Sequence, residues 1–149
     1  MITRVSVERV VPAPADRIFA LLADPRRHRE FDGSGTVRDA VSGPERLAQG
    51  ARFGMRMQLG GPYQMTSTVV EFEEGRRIAW QPRPTNRLAA LLIGGRIWRY
   101  ELEPVVGGTR VRETWDIAAE RFPPPLLAMR RATRRNMTAT LARLEEQVA

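Results

Sequence analysis

Two side chains in this sequence stand out as candidates for proton transfer, Glu113 and His28. In TRVRETWDI, residues 109–117, positions 111, 113, 115 and 117 hold Val, Glu, Trp and Ile. Alternate residues of a strand share a face, so one carboxyl falls on an otherwise apolar side. On a face lining a cavity, Glu113 would bind a ligand hydroxyl or act as an acid/base with a raised pKa, because burial disfavours its charged form. The competing reading is a salt bridge to an arginine, with Arg9 on the matching face of the first strand as partner. His28 is the only histidine, and histidine is the side chain best matched to proton transfer near neutral pH. Arg26, Arg27 and Arg29 flank it and would lower its pKa by like-charge repulsion. Those polar neighbours predict an exposed or structural histidine, and no nucleophile or second base adjoins it to complete a catalytic group. The segment around it is expected to shape a cavity mouth more than to perform chemistry.

A small molecule would need an apolar wall with a few polar groups to orient it. Phe31, Phe53, Tyr63, Trp80, Trp98, Tyr100 and Trp115 could supply that wall. Met55, Met57, Met129 and Met137 would add deformable lining, and Thr133 accompanies the last two on the terminal helix. For each of these residues alone, ordinary core packing is the simpler account. With no cysteine and one histidine, a disulfide framework, a thiolate nucleophile and a Cys- or His-rich metal site are excluded. No metal and no cofactor is expected.

The elements that would position these groups follow from periodicity. RVSVERVV, residues 4–11, places Val5, Val7 and Val11 at alternate positions, the pattern of a half-buried strand. Pro14 and Asp16 suit a helix start, and Ile18, Phe19 and Leu22 give it an apolar face that ends at Asp24-Pro25. A second helical turn is predicted over Arg26–Glu30, leading to the Gly33-Ser34-Gly35 loop. From residue 36 to 118 the pattern is strand-like, broken at Ser42-Gly43-Pro44, Gly60-Gly61-Pro62, Glu74-Gly75 and Gly107-Gly108. Six strands in an antiparallel meander are predicted there, with Phe53, Met55, Met57 and Leu59 on one face of theirs. Residues 123–149 read as one long helix opened by prolines, its apolar face running from Leu126 through Met129, Thr133, Met137 and Leu141 to Val148. RPTNRLAALLIGG, residues 83–95, stands apart. It reads as a loop over a cavity entrance, as an edge used in homodimerisation, or as the buried start of the next strand.

A chain of 149 residues, 42% hydrophobic and 28% charged, fits one soluble domain. Its longest apolar run, LAALLI, is far too short to cross hydrocarbon. The alternating N-terminus lacks the apolar core of a signal peptide, so a cytoplasmic protein is expected. The net charge of +7 comes from 24 arginines spread from Arg4 to Arg143, without a lysine. RRATRR, residues 130–135, is the strongest run, but no stacking aromatics interleave it, so a solvated face is expected rather than nucleic-acid binding.

The order strand, two short helices, six strands, long helix resembles the START-like superfamily, also called the SRPBCC or helix-grip fold, in its polyketide cyclase/dehydrase and lipid-transport branch. VPAPADRIFALLADPRRH near the start, RIWRYELEP followed by VGGTRVRETWD, and the terminal helix carry the resemblance over nearly the whole chain. It implies an α+β fold, a curved seven-stranded antiparallel sheet around a long C-terminal helix with a cavity between them. Many relatives have a tryptophan soon after the Asp-Pro turn, where this chain has Phe31 and Asp32. Three functions fit. The leading one is binding of a hydrophobic or amphipathic small molecule, lipid- or polyketide-like, with Glu113 and Tyr100 orienting its polar atoms. The second is a polyketide cyclase or dehydrase, which holds a flexible chain for aldol closure and water loss. The third is a protein-partner module, marked by a filled core and an exposed apolar patch.

Overall fold

The structure, a computed structural model, describes residues 2–149. Strand β1 (Arg4–Val11) is followed by α1 (Ala15–Leu22), a 3-10 turn (Pro25–Arg27) and α2 (His28–Phe31). Strands β2 (Val37–Ser42), β3 (Arg52–Gln58), β4 (Pro62–Glu73) and β5 (Arg77–Pro84) come next, then α3 (Arg87–Leu92). Strands β6 (Ile97–Val105) and β7 (Gly108–Asp116) lead to α4 (Pro123–Leu127) and α5 (Arg130–Val148). All seven strands form one antiparallel sheet in the order β1-β7-β6-β5-β4-β3-β2. The meander runs from β2 to β7, and β1 closes its far side against β7.

Helix α5 packs on β1 and β7 and against α1 and α2, so the sheet curls around it. Inward positions keep strand parity. Val5 and Val11 face the core from β1, Val111, Glu113 and Trp115 from β7, and Tyr100 and Leu102 from β6. Ile18, Phe19, Leu21 and Leu22 of α1 are all buried, each contributing roughly 1.5–3 kcal/mol by leaving water. A register shift between Val69 and Glu71 in β4 resets the alternation there. Phe72 thereby turns inward, its ring meeting Phe19 edge-on at 5.5 Å.

The loop at Gly33 is seated directly on α5. A Cβ there would lie 2.5 Å from the Asn136 carbonyl oxygen and from the Thr140 nitrogen, so only glycine fits. The Gly33 amide donates to Thr140 Oγ1 at 2.9 Å, and Asp32 accepts from the backbone amides of Ser34 and Val37. This turn fixes the end of α2, and with it Phe31, against the long helix.

Three elements depart from the periodicity. The terminal helix is broken, because α4 stops at Leu127 and Met129 is the N-cap of α5. Residues 83–95 are neither a long loop nor the buried start of a strand, since Arg87–Leu92 form a short helix capped by Asn86. Leu59 lies beyond the end of β3 and is exposed.

Candidate functional site

Glu113 lies on the interior face of β7, opposite Tyr100 of β6 and Val7 of β1, and is 3% exposed. The Tyr100 hydroxyl donates to its Oε2 at 2.8 Å, while Oε1 is buried without a partner. Burial raises its pKa to about 8, opposed by the Tyr100 hydrogen bond and reinforced by the nearby Asp32 charge. The same burial raises Tyr100. Near neutral pH Glu113 is therefore mainly a carboxylic acid. With Oε2 accepting from Tyr100, the acid proton sits on Oε1, which can donate to a third group.

The expected ion pair with Arg9 does not form. Arg9 reaches outward to Glu145, Nη2 to Oε2 at 3.2 Å, because a guanidinium keeps its solvation at the edge of α5 but would lose it beside Glu113.

Trp115, two residues along the same face, is also buried, and its Nε1–H has no acceptor. Alternate residues on a strand stand about 7 Å apart. Its ring lies 6.2 Å from the half-buried Trp98. Val5, Ile117 and Met137 complete a small apolar cluster here, joined by Leu126 and Leu127 of α4. The region thus combines apolar walls with two unsatisfied polar atoms, the Glu113 and Trp115 pair.

His28 is not exposed. The turn from Pro25 to Phe31 rolls its ring inward to 5% exposure, stacked on Trp80 at 4.7 Å and edge-on to Phe53 at 5.4 Å. Its Nε2 is 2.9 Å from the Leu22 carbonyl oxygen, to which it donates. Its pKa falls to about 4, with burial as the main cause and not repulsion by the flanking arginines.

Phe31, Phe53, Met55, Trp80 and Tyr100 belong to the main core with His28's neighbours. Met57 packs against it half-buried, and Thr133 and Met137 are buried on α5, Met137 in contact with the cluster around Val5 and Trp115. Tyr63 and Met129 do not line the interior. Tyr63 begins the open end of β4, and Met129 sits at the α4–α5 break, 51% exposed. The side chains expected around an open cavity largely touch one another, as in the Trp80–Tyr100 contact at 5.4 Å and the Phe31–Tyr100 contact at 6.4 Å. Two surface grooves lie elsewhere: one of about 260 Å³ amid paired charges such as Arg77 and Glu101, the other of about 240 Å³ beside α3.

Sequence reasoning missed the unpartnered Trp115 indole and the role of Glu120. Glu120 is buried, and its Oε1 accepts from the amides of Gly94 and Gly95 at 2.8 and 3.0 Å. The alternation that marked Glu113 carried the signal for Trp115. No local pattern marked Glu120, whose partners lie about 25 residues away in sequence.

The curled sheet, the long helix in its grip and the interior carboxyl define a helix-grip protein. The family described as polyketide cyclase/dehydrase and lipid transport matches residues 3–149, and the chain belongs to it. It is 37% identical to the uncharacterized protein Rv0088 of Mycobacterium tuberculosis (strain ATCC 25618 / H37Rv) over 98% of this chain, and spans 64% of that relative's length. Protein NE0264 from Nitrosomonas europaea shares the fold with a TM-score of 0.73 at 18% identity, covering 97% of this chain and 92% of that one. The AHSA1 protein SPO3351 from Silicibacter pomeroyi does so with a TM-score of 0.68 at 13% identity, covering 97% and 96%. No helix among the described residues is long and apolar enough to cross a membrane.

Proposed function

We propose that the protein binds an amphipathic small molecule, lipid- or polyketide-like, between sheet and α5, with a carbonyl oxygen of the ligand held by Glu113 and Trp115. The observation that carries this reading is the pair of buried, unpartnered polar atoms, Glu113 Oε1 and Trp115 Nε1, on one interior face. Leaving such a group unsatisfied costs about 1–3 kcal/mol. Below about pH 8 both are donors, and two donors suit an acceptor. The surrounding Val5, Trp98 and Met137 take the apolar part, with Met137 able to change rotamer as the ligand enters.

The test is Trp fluorescence titration with acetylnaphthalene against ethylnaphthalene, a pair of similar shape that differs in the carbonyl. The ketone is expected to bind about tenfold more tightly or better, as one or two buried hydrogen bonds provide. Trp115→Phe is expected to remove much of that preference and leave ethylnaphthalene unaffected. Equal affinity for the two probes, or no binding of either, would overturn the assignment.

A cyclase reading draws on the Glu113 pKa of about 8, which leaves acid and carboxylate both populated near neutrality. As an enol carbon attacks the held carbonyl, a C–C bond forms and the carbonyl oxygen takes the Glu113 proton. The carboxylate then accepts the proton released from the enol oxygen, restoring the acid. In that case Glu113→Gln lowers turnover of a polyketide substrate while sparing its affinity. Loss of affinity without a change in turnover would assign Glu113 to binding alone.

A further inference from the structure

The arginines and the carboxylates are unevenly distributed. On the outer face of the sheet they pair, with Arg99 between Glu71 and Asp116, Arg77 on Glu101 and Arg112 on Glu8. Residues 75–100 and 121–144 contain no acidic residue at all. Within them Arg83, Arg87, Arg121, Arg130 and Arg131 have no carboxylate partner among the described residues.

The same stretches carry a group of exposed apolar side chains close together in sequence. Leu88, Leu91 and Leu92 of α3 are 75%, 61% and 59% exposed, and Phe122 is 51% exposed. No residue of α3 is buried, so packing does not explain why these leucines are held in a helix. Local devices hold them instead. Asn86 Oδ1 accepts from the Leu88 and Ala89 amides at 2.9 and 3.1 Å. The buried Glu120 clamps Gly94 and Gly95 behind the helix. A Cβ at Gly95 would lie 2.1 Å from the Ala119 carbonyl oxygen, so this junction is fixed tightly against the residues leading to Arg121 and Phe122. Arg83 and Arg121 line the groove beside Leu91 and Leu92.

We propose that this face docks on an anionic lipid surface, the leucines of α3 entering the acyl boundary while Arg83, Arg87 and Arg121 sit among the headgroups. Exposed aliphatic tips ringed by unpaired cations match that interface in both parts, apolar area below and negative charge at its rim. A second copy of the chain fits less well, because a two-fold contact through this face would set arginines against arginines with no acid to separate them.

The experiment is co-sedimentation of the full chain with phosphatidylcholine vesicles, with and without phosphatidylglycerol, at low and physiological salt. Binding to the phosphatidylglycerol vesicles is expected to exceed binding to neutral ones by tenfold or more, and to weaken with salt. Leu91→Glu with Leu92→Glu is expected to lower it by roughly tenfold or more through lost apolar insertion. Each of Arg83→Gln and Arg121→Gln is expected to lower it about fivefold. The leucine variant substitutes exposed positions only, and an unchanged acetylnaphthalene titration confirms its fold and separates this face from the interior site. Equal binding to neutral and anionic vesicles, full retention in the leucine variant, or a dimer that the leucine variant dissociates would each overturn the proposal.

Discussion

Two of the buried ionisable side chains of this protein, His28 and Glu113, are treated in opposite ways. His28 is enclosed by Trp80, Phe53 and Phe31, and its Nε2 meets the Leu22 carbonyl. Glu113 is buried as deeply, yet one of its oxygens has nothing to bond and the indole beside it shares that condition. Burial moves the two pKa values in opposite directions, down for His28 and up for Glu113, because it disfavours a cation in one case and an anion in the other. Burial and a shifted pKa therefore do not distinguish a site from a core. What sets the Glu113 face apart is that two unpartnered groups, Glu113 Oε1 and Trp115 Nε1, share it, whereas the other unpartnered atoms, Arg96 Nε and Glu120 Oε2, lie outside β7.

The largest effect that would sharpen this contrast is on stability. Trp80→Ala removes the platform under His28 and is expected to cost about 3–5 kcal/mol, read as a fall in the urea midpoint. Trp115→Phe keeps most of the ring and discards only an unpartnered N–H, so it is expected to cost less than about 1.5 kcal/mol. Equal losses in the two variants would erase the distinction between the His28 and Glu113 settings.

Their pH dependences also oppose each other. Glu113, raised from 4.5 to about 8, contributes stability that is complete below about 4.5 and is lost as pH rises toward 8. His28, lowered from 6.5 to about 4, contributes stability that is complete above 6.5 and is lost as pH falls toward 4. Each slope is about 1.4 kcal/mol per pH unit, so from about 4.5 to 6.5 they nearly cancel. Above that only the Glu113 slope persists, and the protein is expected to lose about 2 kcal/mol between pH 6.5 and 8. In Glu113→Gln that loss should vanish. A wild-type profile flat across this window contradicts a neutral buried Glu113.

Tyr100→Phe tests which group restrains that shift. The Tyr100 hydroxyl lowers the Glu113 pKa through its hydrogen bond, so the phenylalanine variant should titrate Glu113 higher still. It should also lose about 1–3 kcal/mol at neutral pH as Oε2 is left alone. Carbon-13 shifts of the Glu113 carboxyl across the titration decide the direction. A downward movement would mean that water replaces the hydroxyl.

The seven strands and the inward face of β7 were legible because both depend on a local period of two. Glu113 could be picked out of TRVRETWDI for the same reason. Partners were not legible, since they depend on distances that no local pattern contains. His28 illustrates this: its neighbours in sequence are arginines, its neighbours in space are Trp80 and Phe53, and the turn at Pro25 decides between them. Residues 83–95 illustrate it from the other side. Their six apolar residues fitted an entrance loop, a dimer edge or the buried start of a strand equally, but β5 and β6 already pair without them, leaving a capped helix with its leucines in water. The α4–α5 break had no clear local signal, because the apolar repeat runs through Met129 without interruption.

The smallest effect tests the pairing that periodicity favoured for Glu113. Arg9 shares its face of β1 with Val7, the residue opposite Glu113, but it lies one step nearer the rim, within reach of Glu145 and water. Its ion pair with Glu145 is partly exposed on both sides, and such pairs contribute little because solvent screens them. Arg9→Gln is therefore expected to leave the urea midpoint almost unmoved and the stability loss between pH 6.5 and 8 unchanged. A shift of that window toward higher pH would mean that the Arg9 charge reaches the interior carboxyl and stabilises its anion. Glu113 would then belong with the paired charges of the sheet, and the contrast with His28 would reduce to a difference in partners.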